Sequence, residues 1–558
     1  MKKTKFQSII VIIVTLFFIV YVPFLTIKDK GFYAGAMSFF AADSFYYLNV
    51  ADKFSKTNTY TSDSSHLTNG FHPLWQYFLA NSFKYLHSQE SQIKFAFLIS
   101  LLCIVIGFCI ISYVLFKITG NIGLSVLGSV PGFYYLIFSF VDQKYYSPWS
   151  YINSMETPFT IIMFSLLLLY FIRKNDVFDS FNSKMKLIFL SFCLTLLTLA
   201  RLDDIFIFIP FFIFIYIQTG KISEFIRNAL IASIIPILLI GAYLIFNLSY
   251  SGMLIPVSGA YKSGFSLINF AHFINVFFPI GIINPEKFYI WINWSGSAHR
   301  VLQVFILFLT SIGFLLTIWK KYDLKIKELP VVIQIFCFFG LYLIGKSLYN
   351  ILFVNIWFQS FWYFPIGIIW INIIITYYLS KKVPGKPIIN FLLIVIVLVI
   401  SNKFANNQGS SFDLRYQNKW FQQNQYAAVW EKRKILQDSV NIYFEGKGLI
   451  EIDDGIIAYS FYQSVFNGLG ICIDKEAFDS LKKSQPLEIA YQRGYKLIAS
   501  SYYIILPDSI LENSTSINEF LKKGYFKSEK INWNFSLLFH DKETNFNLIK
   551  IEKKLIDN

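Results

Sequence analysis

The residues best suited to chemistry lie in the polar stretch 42–75, which follows the first apolar segment of the chain. Asp43 stands at the start of a predicted short helix over 44–54, and Tyr46 and Tyr47 lie three and four positions beyond it, on the same helix face. The helix dipole keeps a carboxylate at this position ionised, which suits a general base working near neutral pH. The alternative is that Asp43 only caps the helix.

Ionisable residues embedded among apolar segments are costly, so each indicates an internal partner or a functional role. Arg201 and Asp203 interrupt two apolar half-spans, as part of the sequence Arg-Leu-Asp-Asp. In one interpretation, this sequence is the tip of a hairpin between two helices, with Arg201 paired to an acid. In the other, Asp203 holds the guanidinium of Arg201 toward an anionic group, because the planar fork of arginine matches phosphate. Glu156 opens another apolar segment, where it either favours the helix N-terminus or has a functional role.

Three further positions carry a basic or imidazole side chain near the ends of apolar segments. Lys262 lies in a loop rich in glycine and serine, whose open backbone suits a ligand; a lysine in such a loop is otherwise simply solvated. Lys346 lies near the end of an apolar segment, and His72 precedes Pro73. His72 is either structural or within reach of a phosphate or hydroxyl group.

The composition predicts a membrane protein. The 558 residues are 55% hydrophobic, with a mean hydropathy of +0.51, and apolar runs of about 18 residues or more indicate membrane-spanning helices. The pattern predicts eleven of them: Ile9–Leu25, Ile93–Phe116, Ile122–Val141, Met155–Ile172, Leu187–Ala200, Ile205–Ile217, Ala229–Phe246, Val301–Trp319, Val331–Leu348, Phe361–Leu379 and Ile388–Ile400.

The net charge of +15 is distributed unevenly along the chain. Residues 402–558 hold 20 Lys and Arg against 19 Asp and Glu, so +14 of the excess falls on residues 1–401. Basic residues confined to alternate loops follow the positive-inside rule and do not indicate nucleic acid. We therefore predict a multi-pass membrane protein with the N-terminus in the cytoplasm and the C-terminal region outside.

Two domains are expected. Residues 1–401 form the transmembrane domain, with large outer loops at 28–91 and 247–299, and residues 402–558 form an extracytoplasmic α/β domain. Within the latter, the pattern predicts helices over Asn418–Asp438 and Leu481–Arg493 and strands over Asn441–Phe444, Leu449–Ile452, Gly455–Tyr459 and Lys496–Leu506.

Several blocks together resemble the bacterial multi-spanning glycosyltransferases of the GT-C superfamily, and this resemblance implies a place in the bacterial cytoplasmic (inner) membrane. The blocks are Asp43–Leu48, Thr68–Trp75 with Asn69 and His72, Asn153–Thr157 with Glu156, Pro256–Lys262, Trp362–Pro365 with Tyr363, and Asp454–Tyr459 with Asn467–Gly470. Ser154 replaces the glycine of the family pattern, and an aromatic membrane belt would also explain Trp362–Pro365.

The resemblance implies an inverting glycosyltransferase that moves a sugar from a polyprenyl-phosphate donor to a hydroxyl of a glycan, lipid or protein acceptor. Asp43 would be the base. Arg201, Lys262, His72 and Lys346 would contact the donor phosphate, while Tyr46, Tyr47, Asn69, Glu156, Asp203 and Tyr363 would line the substrate site. The sequence predicts neither a metal nor a cofactor, since it has no metal-ligand or nucleotide-binding motif.

Two alternatives remain open at this point. A transporter or flippase of lipid-linked glycans would also need basic and acidic residues within the membrane. The second alternative is a catalytically silent assembly protein with the same fold. Ala42 keeps this alternative open, because many members of the resembled family carry a second acid at this position beside Asp43.

Overall fold

The computed structural model describes most of the chain. The described residues are 2–41, 43–138, 147–174, 176–265, 267, 269, 298–322, 326–354, 361–407, 424–451, 455–461, 463–468, 472–482, 486–501, 504, 506, 510, 514–524, 533–542 and 544–553. Most of loop 247–299 therefore lies outside them, as do Asp454 and Leu469–Gly470.

Helices make up most of the described part of residues 1–407. They are α1 (Lys2–Lys30), α2 (Phe32–Met37), α3 (Ser44–Thr57), α4 (Pro73–Phe83), α5 (Gln89–Thr119), α6 (Ile122–Ser129), α7 (Phe133–Phe138), α8 (Thr157–Ile172), α9 (Lys184–Ala200), α10 (Phe208–Thr219), α11 (Ile222–Ser251), α12 (Val257–Lys262), α13 (Ala298–Tyr322), α14 (Val331–Phe353), α15 (Pro365–Ser380) and α16 (Pro387–Asn407).

Seven helical segments of the described chain are long and apolar enough to cross a membrane. They are Lys5–Lys30, Gln89–Thr119, Leu202–Thr219, Ile222–Ser251, Gln303–Lys320, Val331–Phe353 and Pro387–Asn406. The eleven predicted spans overlap helices, but α8 and α15 are shorter apolar helices. The count of eleven is therefore not confirmed.

Two breaks in the helices have local causes. The predicted span over Ile122–Val141 is divided because Gly132 adopts φ +74°, a left-handed conformation that glycine tolerates, and this separates α6 from α7. The second break lies between α9 and α10, where Arg201 has extended backbone, φ −147° and ψ 110°. A 3-10 helix over Leu202–Ile207 then leads into α10.

The C-terminal region is a small α/β unit around a five-stranded sheet. Its elements are α17 (Asn424–Tyr443), β1 (Gly448–Glu451), α18 (Ile456–Ser460), β2 (Ser464–Asn467), α19 (Lys475–Lys482), α20 (Pro486–Gln492), β3 (Leu497–Ser500), α21 (Ser514–Gly524), β4 (Trp533–Asp541) and β5 (Phe546–Lys553). The strand order is β2-β1-β3-β5-β4, with β1 parallel to β2 and β3 and with β5 antiparallel to β3 and β4.

Two of the predicted strands in this region are wrong. The segment Asn441–Phe444 falls largely within the last turn of α17, and Gly455–Tyr459 falls largely within α18. The buried carboxylate of Glu451 explains the second error, since it accepts hydrogen bonds from the backbone N–H groups of Ile457 (2.8 Å) and Ala458 (3.2 Å). An acceptor for these two donors stabilises the start of a helix despite the strand-forming side chains.

The C-terminal unit packs directly against α3 and the loop after it. A Cβ atom on Gly455 would lie 2.8 Å from the backbone nitrogen of Tyr46, so only glycine permits this approach. The hydroxyl groups of Ser62 and Thr68 donate to the carbonyl oxygens of Cys472 and Ile473, over 2.6 and 3.0 Å. The sheet therefore lies at the same end of the helical bundle as Asp43.

Candidate active site

Asp43 directly precedes α3, and its side chain makes no capping hydrogen bond there. Instead, its Oδ2 atom lies 3.5 Å from Nζ of Lys262. Both side chains are partly open, with 20% of Asp43 and 15% of Lys262 exposed. The carboxylate therefore pairs with Lys262 and does not cap the helix.

Lys262 is the last residue of α12, and the backbone on both sides of it is fixed. At the start of α12, the Oδ1 atom of Asn69 accepts from the N–H of Val257 over 3.0 Å. After α12, the N–H of Gly264 donates to the carbonyl of Phe353 over 2.8 Å. These contacts hold the loop against α14 and place the ammonium beside Asp43.

The ammonium group of Lys262 is charged in this position. Burial lowers the pKa of Lys262, but the nearby Tyr363 and Asp43 outweigh this effect, so the pKa lies above its ordinary value. The ammonium also donates a hydrogen bond to the hydroxyl of Tyr363. The aromatic block 362–365 is thus part of the cluster.

A buried ion pair between Glu156 and Arg201 lies beside Tyr363, which contacts both Arg201 and the ammonium of Lys262. The guanidinium donates to Oε1 of Glu156 and lies over the ring of Tyr363, 4.2 Å from its centroid. The other carboxylate oxygen of Glu156 accepts from the hydroxyl of Tyr47 over 3.0 Å. Such charges are tolerated in the interior because each has hydrogen-bonding partners.

Arg201 also connects to a second group of charges at the start of the α10 segment. Its Nε atom lies 2.8 Å from Oδ1 of Asp203, whose Oδ2 atom is 3.3 Å from Nζ of Lys346. Lys346 also pairs with Asp204, which accepts a hydrogen bond from the hydroxyl of Tyr342 over 2.5 Å. Asp204 and Tyr342 were not among the predicted site residues, although Asp204 belongs to the same Arg-Leu-Asp-Asp sequence.

His72 lies between these groups as a neutral side chain. Its ring is three-quarters buried, and desolvation lowers the pKa of His72 to about 4 despite the nearby Glu156. The Nδ1 atom accepts from the N–H of Leu202 over 3.2 Å, so the proton of the neutral ring is on Nε2. Nε2 lies 3.9 Å from Oε1 of Glu156. The ring can donate a hydrogen bond but adds no positive charge at neutral pH.

Two predicted site residues are engaged elsewhere. Tyr46 is buried beneath Gly455 of the C-terminal unit. The amide of Asn69 is taken up by the loop before α12, because it accepts from Val257 and donates to the carbonyls of Met253 and Ile255, both over 3.3 Å. Asn69 thus positions the loop that carries Lys262.

The remaining predicted residues form one connected cluster at one end of the bundle. Its members are Asp43, Tyr47, His72, Glu156, Arg201, Asp203, Lys262, Lys346 and Tyr363, to which the structure adds Asp204 and Tyr342. Glu156, Arg201, Asp204 and Lys346 are buried, whereas Asp43, Lys262, Asp203 and His72 are partly exposed. The exposed members combine a carboxylate base with an ammonium group, and the buried ones hold compensated charge beneath them.

In the described part of the chain, no group of three or more His, Cys, Asp or Glu side chains is arranged to hold a metal ion. The partly exposed face of the cluster presents the carboxylate of Asp43 beside the ammonium of Lys262.

Comparison with known proteins identifies a distant structural likeness. No family model and no curated protein matches the chain. Among solved structures, the chain is similar to a crystal structure of an oligosaccharyltransferase from Archaeoglobus fulgidus, tethered with an acceptor peptide containing the NVT sequon through a disulfide bond. The identity is 11% and the TM-score 0.33, over 97% of this chain and 74% of that one. A likeness at this level assigns neither an activity nor a substrate to the chain.

Proposed function

We propose that this protein is a membrane glycosyltransferase of the GT-C type, which moves a sugar from a polyprenyl-phosphate donor to an acceptor hydroxyl at the outer face of the membrane. The observation that carries the proposal is the Asp43–Lys262 pair above the buried Glu156–Arg201 pair. Blocks more than 200 residues apart in the sequence supply these groups at one end of the membrane helices.

The reaction needs few protein groups. Asp43 accepts the proton of the acceptor hydroxyl, and the resulting oxygen nucleophile bonds to the anomeric carbon of the sugar. The bond between that carbon and the phosphate oxygen breaks, and the polyprenyl phosphate leaves with the bonding electrons. Attack opposite the phosphate inverts the anomeric centre. The leaving phosphate is a stable anion, so no general acid is required.

The cations have different parts in this proposal. Lys262 is partly exposed and contacts the donor phosphate directly, whereas Arg201 and Lys346 are about 98% and 99% buried and act from below. They hold Glu156, Asp203 and Asp204 in place, and because these carboxylates offset their charge, Lys262 is the cation that faces the developing negative charge. The neutral His72 donates a hydrogen bond to a phosphate or sugar oxygen.

The acceptor is a glycan, a lipid or a protein, and it approaches from the side of the C-terminal unit. The contacts of Gly455, Cys472 and Ile473 with α3 and the following loop place this unit beside Asp43. In this proposal the C-terminal unit binds the acceptor and supports α3. The membrane lipids present the donor.

The test is sugar transfer by purified protein in lipid nanodiscs, with a labelled polyprenyl-phosphate sugar and extracted envelope glycan as acceptor. Asp43→Asn removes the base and is expected to lower transfer by about 10² to 10⁴-fold, the usual contribution of a general base. Asp29→Asn, at an exposed acid on the last turn of α1, is the matched control and should keep the parental rate. Parental transfer by Asp43→Asn would refute the catalytic assignment. Movement of lipid-linked glycan across vesicles without transfer would instead identify a transporter.

A further inference from the structure

The cations of the cluster differ in how firmly they are held. Arg201 binds both Glu156 and Asp203, and Lys346 binds both Asp203 and Asp204, all within the buried part of the site. To release either cation would leave carboxylates without compensation in the interior, which is strongly unfavourable.

Lys262 is different in its exposure and in its partner. Among the ion pairs of the described cluster it has one carboxylate partner, Asp43, at 3.5 Å, a distance longer than that of a charge-assisted hydrogen bond. The pair is not sealed from solvent, with 15% of Lys262 and 20% of Asp43 exposed, so an anionic group can reach the ammonium and replace the carboxylate as its partner. The backbone of Lys262 is fixed by the contacts of Asn69 and Gly264, so the flexible side chain moves alone.

We propose that Lys262 exchanges partners when the donor binds: its ammonium leaves Asp43 for the donor phosphate, and this exchange frees the carboxylate to accept a proton. The inference rests on the proposed function and adds a regulatory step to it. Without the donor, Asp43 is occupied by the ammonium, so the base becomes competent only when a phosphate ester is in place. The exchange thus ties activation of the acceptor to the presence of the donor.

Binding of a short-chain isoprenyl monophosphate tests the exchange without any transfer reaction. Lys262→Gln should weaken binding by about tenfold to a hundredfold, as expected for loss of a charged contact. Asp43→Asn should tighten binding about two- to fivefold, since Lys262 no longer leaves a carboxylate. In the Lys262→Gln background, Asp43→Asn should have no further effect. Lys262→Arg keeps the charge and should preserve the tightening by Asp43→Asn.

The controls separate the possible failures. Lys84→Gln removes an exposed lysine at the end of α4 and should leave binding unchanged, and thermal unfolding of each variant checks its folding. If Asp43→Asn tightens binding equally in the Lys262→Gln background, direct repulsion is the cause and the exchange is refuted. Absence of any tightening also refutes it. If the parental protein does not bind the isoprenyl phosphate at all, the proposed function fails together with the exchange.

Discussion

The indole nitrogen of Trp75 donates a hydrogen bond to the carbonyl oxygen of Ser154 over 3.1 Å. This contact joins two blocks that are separated by nearly 80 residues in the sequence, one ending in Trp75 and the other containing Glu156. It lies beside the contacts of Tyr47 and His72 with Glu156, at 3.0 and 3.9 Å. The backbone before α8 is thereby fixed, and with it the carboxylate that holds Arg201.

Ser154 is a strained residue at this junction. Its φ is +54°, and its buried Oγ atom has no hydrogen-bond partner in the described structure. Ser154→Gly relieves the left-handed strain and removes the unsatisfied hydroxyl, while glycine costs more backbone entropy; we expect a net stabilisation of about 1 kcal/mol. Thermal unfolding measures the change. Ser154→Ala keeps the Cβ atom at positive φ, so a gain as large as that of glycine would show that backbone strain is unimportant here.

The buried pair of Arg201 and Glu156 predicts a strong effect on stability. Arg201→Gln leaves the two carboxylates of Glu156 and Asp203 without their common cation and should destabilise the protein by about 3 to 5 kcal/mol. Adding Glu156→Gln removes one of the uncompensated charges and should recover part of this loss. Unfolding in detergent by circular dichroism compares the variants. A double variant less stable than Arg201→Gln alone would contradict the pairing.

A charged pair between the loop after α3 and the C-terminal unit predicts a dependence of stability on pH. His66 lies 2.6 Å from Oδ2 of Asp63, which also accepts from the hydroxyl of Tyr495 over 3.2 Å. The hydrogen bond to Asp63 and the charge of that carboxylate raise the pKa of His66 and outweigh burial, which lowers it; Arg493 lowers this pKa and Asp474 raises it by smaller amounts. The pKa of Asp63 is lowered because its hydrogen bonds to His66 and Ser65 outweigh burial.

These two pKa shifts make the stability of the protein depend on pH in opposite directions. The stability that His66 contributes is fully present below about pH 6.5, the ordinary pKa of histidine, and is lost as the pH rises through the raised pKa of His66. The stability that Asp63 contributes is fully present above about pH 3.9, the ordinary pKa of aspartate, and is lost as the pH falls through the lowered pKa of Asp63. His66→Gln should therefore lower the free energy of unfolding more at pH 6 than at pH 9, by less than about 1 kcal/mol because about a third of the His66 side chain is exposed. An equal effect at both values would exclude a charged pair.

The proposed orientation predicts which surfaces an impermeant thiol reagent reaches. Ser64, in the loop after α3, and Ser183, before α9, are both exposed. On a cysteine-free background, Ser64→Cys should react from outside intact cells, and Ser183→Cys only after permeabilisation. Reaction of Ser183→Cys alone in intact cells would place the candidate site in the cytoplasm.

Much of the site could be predicted from residue types, because charges among apolar segments are too costly to be incidental. Asp203 was expected to hold Arg201, and this contact is present at 2.8 Å. The other partners could not be predicted. Glu156 and Lys346 approach Arg201 and Asp203 only through helix packing, which a single sequence does not specify. Asn69 was predicted as a substrate contact, but its amide hydrogen-bonds to the backbone of the loop before α12, whose conformation the pattern does not reveal.

The membrane helices were easier to predict than the C-terminal unit. Long apolar runs have one stable form in a membrane, since every backbone group must be hydrogen-bonded within the segment. The short segment Ile456–Ser460 has no such constraint, and the tertiary contact of Glu451 decides that it is a helix. The strands β2, β4 and β5 were not predicted either.

The long separation between Asp204 and Lys346 has a consequence for biogenesis. At about 5 to 20 residues per second, the roughly 140 residues between them take about 7 to 28 seconds to synthesise. During this interval α9 and α10 have been made, but the lysine that compensates Asp203 and Asp204 has not. We expect the nascent chain to keep residues 201–204 in water until α14 arrives, so burial of Asp203 and Asp204 awaits the insertion of that helix.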